Sequence, residues 1–426
     1  MTDYKLALEI LSNVLYKDGK SNEEINRNAD KAVNLSFVTK LVYGVLENKI
    51  YLDYMIRKLS DIRLKKIHDD ILIILEMGVY AIHFLEKKDY AIVNELVDLS
   101  KSVNKRSSGF VNAILRNFIR DEKEISTIYE TDDLKSLSIR FSLPFDITKY
   151  IYDNYGMDYT KNFLKFINSE QDISIRVNTL KTDRESLIKS LEESGYECVK
   201  GEISDKAIII KNPSALSQTS EFKNGLFTIQ QQSSMKTVEV LDPKPGTKIL
   251  DICAAPGTKT SYISEITNNE AYVLANDIIG AKLSLINENI NRLGLLNVDL
   301  TSFDASIYNE ELEEKFDYVL VDAPCSGLGV MGRKPEIRYN RTIEDIKVLA
   351  KLQEDILIQA VKYLKPGGIL VYSTCTIGDL ENKKNFEFLR NMENLENITI
   401  DEKDYIEFVA FEEKTDGFFI SKFKKI

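Results

Sequence analysis

The sequence predicts three domains of different class: an all-α domain, a small α+β module, and a C-terminal α/β domain with a mostly parallel sheet. Two observations support this prediction. The first proline is Pro144, and apolar residues before it recur at helical spacing. From about residue 227, strand-like apolar runs alternate with helical patterns, as in a doubly wound sheet. We place the three domains at residues 1–135, 136–226 and 227–426.

The N-terminal domain is predicted to contain several packed helices. Apolar residues cluster on one helical face within 41–52 and again within 110–119. The longest apolar stretch, 71–85, is interrupted by Glu76 and His83. It is also too short to span a bilayer, so we interpret it as a buried core helix. We therefore expect no membrane association.

The charge distribution is uneven. The formal net charge of −11 argues mildly against a nucleic-acid partner. Residues 100–120, however, carry basic side chains and no acid, whereas the acid-rich stretch 121–133 is typical of a linker. A second basic cluster contains Arg333, Lys334, Arg338 and Arg341. We interpret this second cluster as a contact with RNA phosphates.

The cysteine and histidine content limits the chemistry. The chain has four widely spaced cysteines and two histidines, with no C-x-x-C pair, so we expect no metal site. Few, separated cysteines suit a reducing cytosol, and the first residues do not resemble a signal peptide. The sequence therefore predicts a cytoplasmic protein, and nothing in it requires more than a monomer.

We interpret the middle module as a positioning element, because it contains no cluster of candidate catalytic residues. Residues 173–178 alternate like a strand, and two further strands are predicted at 196–200 and 207–211. A helix is predicted at 185–194, with Thr182 and Glu185 forming a capping box.

The C-terminal domain is predicted to hold five strands joined by helices. The strands are 248–252, 271–277, 298–303, 318–321 and 368–373, and the clearest helices are 281–293 and 345–364. The alternating tail, 416–425, would add a last strand to the sheet.

The turn after the first of these strands has the features of a nucleoside-cofactor site. Pro256 and Gly257 form a tight turn, and glycine there permits a positive φ or a close approach to a ligand. Asp277 follows 20 residues later, at the end of the next strand, where doubly wound folds bind ribose hydroxyls. The G-x-G-x-x-G pattern of dinucleotide binders is missing from this turn.

Two cysteines follow buried strands in polar turns. Cys325 comes after the fourth strand and Cys375 after the fifth, so neighbouring strands would bring them into one crevice beside the cofactor turn. We interpret Cys198 and Cys253 as packing residues. A thiolate opposite a nucleoside cofactor suits covalent catalysis, because its addition to C6 of cytosine makes C5 nucleophilic toward a methyl group. Asp322 would hold the N3/N4 edge of that base.

The motifs resemble those of the RsmB/Sun (Fmu) family, bacterial 16S rRNA cytosine-C5 methyltransferases. The turn 251–260 is similar to that family's D-x-C-A-A-P-G-G-K-T, with Thr258 where a second glycine is usual. Asp322-Ala-Pro-Cys-Ser-Gly327 and Ser373-Thr-Cys375 match its two cysteine motifs. Segments 93–97 and 109–116 resemble the family's N-terminal NusB-like RNA-binding domain.

The resemblance implies a fold, a cofactor and site residues. The expected C-terminal fold is a Rossmann-like class I methyltransferase with a seven-stranded sheet, and the implied methyl donor is S-adenosylmethionine. Cys375 would be the nucleophile and Cys325 would assist release, an order that the residues alone leave open. The implied cofactor-binding residues are Cys253, Ala254, Ala255, Pro256, Gly257, Thr258, Lys259, Asp277 for the ribose, Asp304 for the adenine, and Asp322.

The implied substrate is one cytosine of 16S rRNA, either naked or in an assembling small subunit. Three alternatives stay open. A tRNA cytosine methyltransferase would share the chemistry, although the N-terminal domain argues against it. A non-catalytic assembly factor would be expected to lack Asp322 or one of the two motif cysteines, and all are present. A small-molecule methyltransferase would explain neither the paired cysteines nor the helical extension.

Overall fold

A computed structural model describes residues 2–17, 19–85, 90–128, 133–213 and 215–426. The chain forms two compact units. The N-terminal unit comprises the residues up to Ser169 together with Met331–Ile343, and the C-terminal unit comprises Glu170–Val330 and Glu344–Ile426. The chain therefore leaves the C-terminal unit after Val330 and returns to it at Glu344. The domain boundaries that we placed at residues 135 and 226 stay a prediction.

The N-terminal unit is helical, which confirms the predicted class. The predicted core helix forms its centre, with every residue from Ile71 to Ile82 buried. The acid-rich stretch 121–133 begins inside a helix, and its residues 129–132 lie outside the described residues. The helices are α1 (Asp3–Tyr16), α2 (Ser21–Arg27), α3 (Leu35–Leu59), α4 (Asp69–His83), α5 (Tyr90–Val103), α6 (Ser108–Ser126), α7 (Leu134–Arg140) and α8 (Phe145–Ile167).

The segment 331–343 corrects part of the predicted RNA contact. Arg338 is fully buried within the N-terminal unit. Its guanidinium donates to the carbonyl oxygens of Glu47 (2.9 Å) and Ile167 (2.8 Å) and to Oδ1 of Asn168 (3.0 Å). Ile167 is the last residue of α8, where helical carbonyls have no partner within the helix. The prediction that Arg338 contacts RNA was wrong, because its donors satisfy backbone groups instead.

The α+β module is an antiparallel sheet in the order β2-β3-β1-β4, with α9 packed on it. The cap of α9 is Asp183, whose side chain accepts from the Ser186 N–H, so the predicted Thr182 capping box was wrong. The Asp183 side chain is a better acceptor than the Thr182 hydroxyl, because a carboxylate is favoured at the N-terminus of a helix. The elements are β1 (Ile173–Val177), α9 (Arg184–Glu193), β2 (Cys198–Lys200), β3 (Ala207–Ile210), α10 (Ser220–Lys223) and β4 (Phe227–Ile229).

The remaining elements mostly alternate strand and helix, as predicted. They are α11 (Gln232–Leu241), β5 (Lys248–Asp251), α12 (Thr258–Ile266), β6 (Tyr272–Asn276), α13 (Gly280–Leu293), β7 (Val298–Thr301), β8 (Phe316–Asp322), α14 (Ile343–Tyr363), β9 (Leu364–Thr374), α15 (Lys383–Arg390), β10 (Leu395–Asn397), β11 (Tyr405–Phe408), α16 (Ala410–Glu413) and β12 (Phe418–Lys425). In the described range 215–426, however, no α-helix separates β7 from β8 or β10 from β11.

Within the described residues these strands form one eight-stranded sheet in the order β10-β12-β9-β8-β5-β6-β7, with β11 also paired to β12. The five strands from β9 to β7 are parallel, and β12 is antiparallel to β9. We expected seven strands. The extra strand arises because β10 and β11 pair with different parts of β12 along the same edge. The tail therefore joins the sheet, as predicted, but it is not the outermost strand.

The register of the central strands sets the position of the site. β8 and β9 are neighbours, and Asp322 pairs with Ser373 at their carboxyl ends. Both predicted cysteine motifs therefore begin at the same edge of the sheet. Among the described residues, no helix combines the length and apolar character that crossing a membrane requires. The described ranges also hold no cluster of three or more His, Cys, Asp or Glu side chains suited to binding a metal ion.

Candidate active site

A cavity of about 400 Å³ opens at the carboxyl ends of the parallel strands of the C-terminal unit. Its volume suits a ligand of nucleoside size. It is lined by seven of the predicted site residues, namely Cys253, Ala255, Asp277, Asp304, Asp322, Cys325 and Cys375. The predicted residues Ala254, Pro256, Gly257, Thr258 and Lys259 are not among its lining residues. They form the turn after β5 and the start of α12 instead.

Gly257 gives this turn its shape. Its φ is +93°, a left-handed value that a side chain would strain, and it caps α12. A Cβ there would also lie 3.0 Å from Cγ2 of Ile286 on α13. The Gly257 N–H donates to the Ala254 carbonyl at 2.7 Å, which closes the turn. The predicted positive φ is confirmed, and the glycine additionally allows α13 to pack against the turn.

Two acids lie at the ends of β6 and β7. Oδ2 of Asp277 accepts from the Ala255 N–H at 3.3 Å, so the acid is tied to the cofactor turn. Asp304 accepts from both the backbone and the hydroxyl of Ser306, and these bonds lower the pKa of its carboxyl. Two carboxyl groups at adjacent strand ends offer acceptors for ribose hydroxyls and for an exocyclic amine. The lining of the cavity therefore fits a nucleoside cofactor.

Asp251 lies beneath the turn and is fully buried. Its Oδ2 accepts from the Thr260 hydroxyl at 2.6 Å, while its Oδ1 has no hydrogen-bond partner. Burial raises the pKa of this carboxyl to about 7. Asp251 is not among the residues that line the cavity, so it supports the turn from below.

The α+β module supports the same turn through Arg176 on β1. Its guanidinium forms a bidentate ion pair with the buried Glu265 of α12, at 2.9 and 2.7 Å. It also donates to the Thr258 carbonyl at 2.8 Å and stacks over the Tyr262 ring. From the sequence this arginine was placed within a predicted strand, 173–178, and no role was predicted for it. Its role depends on a partner 89 residues away, and no local pattern reveals such a pair.

The two motif cysteines meet at the mouth of the cavity. Sγ of Cys325 and Sγ of Cys375 are 3.4 Å apart, within hydrogen-bonding distance for thiols. The bond to Cys375, with burial, raises the pKa of the Cys325 thiol well above its usual range. The prediction that the two would share one crevice is confirmed.

Asp322 lies beside them and is held from two sides. Lys259 forms an ion pair with its Oδ2 at 2.6 Å, and the Ser373 hydroxyl donates to its Oδ1 at 2.9 Å. Lys259 is itself nearly buried, over the ring of Phe418. Sequence reasoning placed Lys259 at the cofactor and missed its ion pair with Asp322. The pair forms because α12 carries Lys259 back across the end of β8.

A Rossmann-like sheet with a nucleoside cavity at its carboxyl edge defines the class I fold of S-adenosylmethionine-dependent methyltransferases. Comparison with known proteins agrees. The 16S rRNA methyltransferase RsmB/F family matches residues 238–424, the NusB family matches 1–120, and an RsmF/B-like ferredoxin-like domain matches 147–217.

The probable ribosomal RNA small subunit methyltransferase B of Bacillus subtilis is 36% identical over 87% of this chain and 82% of its own length. The crystal structure of PH0851 superposes with a TM-score of 0.84, at 26% identity, over 100% of this chain and 99% of that one. NSun6 from Pyrococcus horikoshii, solved with the S-adenosylmethionine analogue SFG, gives a TM-score of 0.60 at 25% identity over 66% of this chain and 98% of that one.

The chain belongs to the RsmB/F family of rRNA methyltransferases. Its methyl donor is S-adenosylmethionine, and its substrate is RNA. The expected NusB-like domain and methyltransferase domain are confirmed, and the expected small α+β module overlaps the match to a ferredoxin-like domain.

Proposed function

We propose that this protein methylates C5 of one cytosine in 16S rRNA through a covalent bond between Cys375 and C6 of the base. The observation that carries the proposal is the pair of thiols 3.4 Å apart at the mouth of the cofactor cavity, with Asp322 also lining it. A methyltransferase that acts on nitrogen or oxygen needs no such pair. Methylation of cytosine at C5 needs at least one thiolate, because C5 becomes nucleophilic only after a thiolate adds to C6, and a second thiol can assist release.

We assign Cys375 as the attacking thiolate, as the family resemblance implies. The raised pKa of Cys325 disfavours its thiolate form and supports this assignment. The Lys259 ammonium is ion-paired with Asp322, which lines the same cavity as both cysteines. After C5 takes up the methyl group, a base must remove the C5 proton so that the Cys375–C6 bond can break, and Cys325 would assist this release.

Asp322 would orient the base. Its carboxylate is fixed by Lys259 and Ser373, and an exposed edge of it faces the cavity. In this position its carboxylate can accept from the N4 amine and so hold that edge of the pyrimidine while C6 is attacked. S-adenosylmethionine, held by the turn 253–259 with Asp277 and Asp304, supplies the electrophilic methyl group that C5 takes up.

The target cytosine must leave its stack to reach Cys375. We infer that the helical N-terminal unit and the α+β module contact the surrounding RNA by shape and by its backbone. We further propose that the enzyme acts as a monomer in the cytoplasm, where its proposed substrate is made.

The test is an RNA–protein adduct that survives denaturing electrophoresis. Cys325→Ala should trap the covalent intermediate, because the bond to Cys375 forms but is not released. Cys375→Ala, and the double variant, should give no adduct. Cys198→Ala is the matched control, since Cys198 lies on β2 in the module, away from the cavity. It should behave as wild type.

Each outcome has a distinct meaning. Sequencing the RNA trapped by Cys325→Ala would identify the cytosine and the RNA. An adduct on a tRNA would replace the 16S target with a tRNA target. An adduct with Cys375→Ala alone would exchange the two roles. No adduct, together with no methyl transfer by the wild type, would overturn the covalent mechanism.

A further inference from the structure

The two cysteine loops rest on a buried polar network that the proposed chemistry does not use. Its centre is Glu381, on the segment between β9 and α15, which is fully buried. Its Oε1 accepts from the Ser326 N–H at 2.8 Å and from Nε2 of Gln353 at 3.0 Å. Its Oε2 accepts from the Ser326 hydroxyl. In each of these contacts the carboxyl oxygens of Glu381 act as acceptors.

The network fixes both neighbours of Cys325. Ser326 follows this cysteine and is held by Glu381 through its backbone and its hydroxyl. Pro324 precedes it, and its carbonyl accepts from Nε2 of Gln353 at 2.9 Å. Because Gln353 also donates to Glu381, the loop is clamped on both sides of the thiol.

The same network reaches the Cys375 loop. The Thr376 hydroxyl bonds that of Ser326 at 2.7 Å, and since Ser326 donates to Glu381, Thr376 is the donor of this bond. Asn382, next to Glu381 in sequence, donates to the Thr376 carbonyl at 3.1 Å and accepts from the Thr374 hydroxyl at 2.6 Å. Two adjacent residues of one segment thus hold both sides of each cysteine loop.

Burial of an ionised carboxylate is costly unless donors compensate it, and an amide would form similar bonds at lower cost. A negative charge near the cysteines has an effect that an amide lacks. It disfavours the thiolate form of the nearer cysteine, because two negative charges repel each other. The Glu381 carboxyl accepts two hydrogen bonds from Ser326, the residue that follows Cys325.

We propose that Glu381 is a positioning residue that sets the separation of the two cysteines and keeps the proton of the thiol pair on Cys325. This inference rests on the proposed covalent mechanism for its meaning. The charge effect itself, however, can be measured without RNA.

The experiment is alkylation of the purified protein with iodoacetamide across a range of pH, with each cysteine followed by peptide mass spectrometry. In the wild type, Cys375 should react at lower pH than Cys325. In Glu381→Gln, Cys325 should become reactive at lower pH, by about tenfold in rate for each unit by which its pKa falls. The difference between the pH values at which the two thiols react should then become smaller, or its sign should reverse.

Two further variants separate charge from geometry. Glu381→Asp keeps the charge but shortens the side chain, so the pH dependence of Cys325 should persist while kcat falls. Ser326→Ala keeps the Glu381 side chain and removes the hydroxyl that donates to it. This variant also tests the network if the Glu381→Gln protein does not fold. Glu76→Gln removes a fully buried carboxylate from α4 of the N-terminal unit. It should leave the alkylation of both cysteines unchanged.

Equal gains in reactivity for both cysteines in Glu381→Gln, without a change in their pH order, would show a purely structural role and overturn the inference. Unchanged alkylation would overturn it as well. If the pH order shifts as expected but no RNA adduct forms with Cys325→Ala, the charge effect stands and the covalent mechanism fails. The two failures are therefore distinguishable.

Discussion

Gly329 lies where the Cys325 loop meets the chain that leads into β12. Its N–H donates to the Cys375 carbonyl at 3.2 Å, and its own carbonyl accepts from the Gly417 N–H at 3.1 Å. A Cβ at this position would lie 2.0 Å from the Gly417 carbonyl oxygen and 2.9 Å from that of Cys375. Both obstacles are backbone atoms, so no side chain can rotate to make room.

Gly329→Ala should therefore displace the backbone beside Cys375. Restoring an ordinary contact requires the Gly417 carbonyl to move by more than about 1 Å, and Gly417 is itself packed against Ile377. Forced insertion of a methyl group costs about 1–3 kcal/mol. A displacement of about 1 Å at a reacting atom lowers the rate on the order of 100-fold. We expect a loss of stability within that range and a larger loss of kcat/KM.

The assay is urea unfolding together with transfer of a labelled methyl group to RNA. Gly109→Ala is the stability control, because nothing lies within 4 Å of its Cβ position and the residue is in the first turn of α6. Alanine there should leave the stability unchanged or raise it by up to about 1 kcal/mol. A Gly329→Ala protein as stable and as active as the wild type would refute the close backbone contact on which this reasoning depends.

Two other perturbations test buried charges. Arg176→Met leaves Glu265 buried without its partner, so we expect a loss of about 3–5 kcal/mol in urea unfolding and weaker cofactor binding, because the bond to the Thr258 carbonyl is also lost. Adding Glu265→Leu should recover part of that loss, whereas additive losses would show that the pair is not coupled. The raised pKa of Asp251, about 7, means that the folded state holds a proton which the unfolded state releases near pH 4. The stability that this proton provides is fully present below about pH 4 and is lost as pH rises through about 7. Relative to Asp251→Asn, the cofactor-free wild type should therefore lose up to roughly 4 kcal/mol across that interval in unfolding experiments, and parallel pH curves for the two proteins would contradict the assignment.

Features set by local chemistry could be predicted from the sequence. The helical class of the N-terminal unit follows from apolar spacing, and α4 was recognisable from its apolar run. The shared crevice of Cys325 and Cys375 followed from a general rule, since parallel strands end at one edge of a sheet. The turn at Gly257 was visible because few residue types permit its φ.

Features that depend on distant partners could not be predicted. Glu381 and Arg176 look like ordinary surface charges in the sequence, and only tertiary packing buries them. The prediction that Arg338 contacts RNA was wrong for the same reason. A cluster of basic residues in the sequence does not show which of them donate to helix carbonyls. Strand β4 was missed because three residues are too few for a periodic pattern.

The passage of Met331–Ile343 through the N-terminal unit has a consequence for the order of synthesis. The polypeptide up to Ser169 emerges first, yet the carbonyls of Glu47 and Ile167 receive Arg338 only after the first half of the catalytic sheet has been made. At about 5–20 residues per second, that wait is on the order of 10–35 s. The N-terminal unit is therefore completed by a segment that lies within the sequence of the C-terminal unit. A gene fragment ending at residue 169 would encode the N-terminal unit without Met331–Ile343.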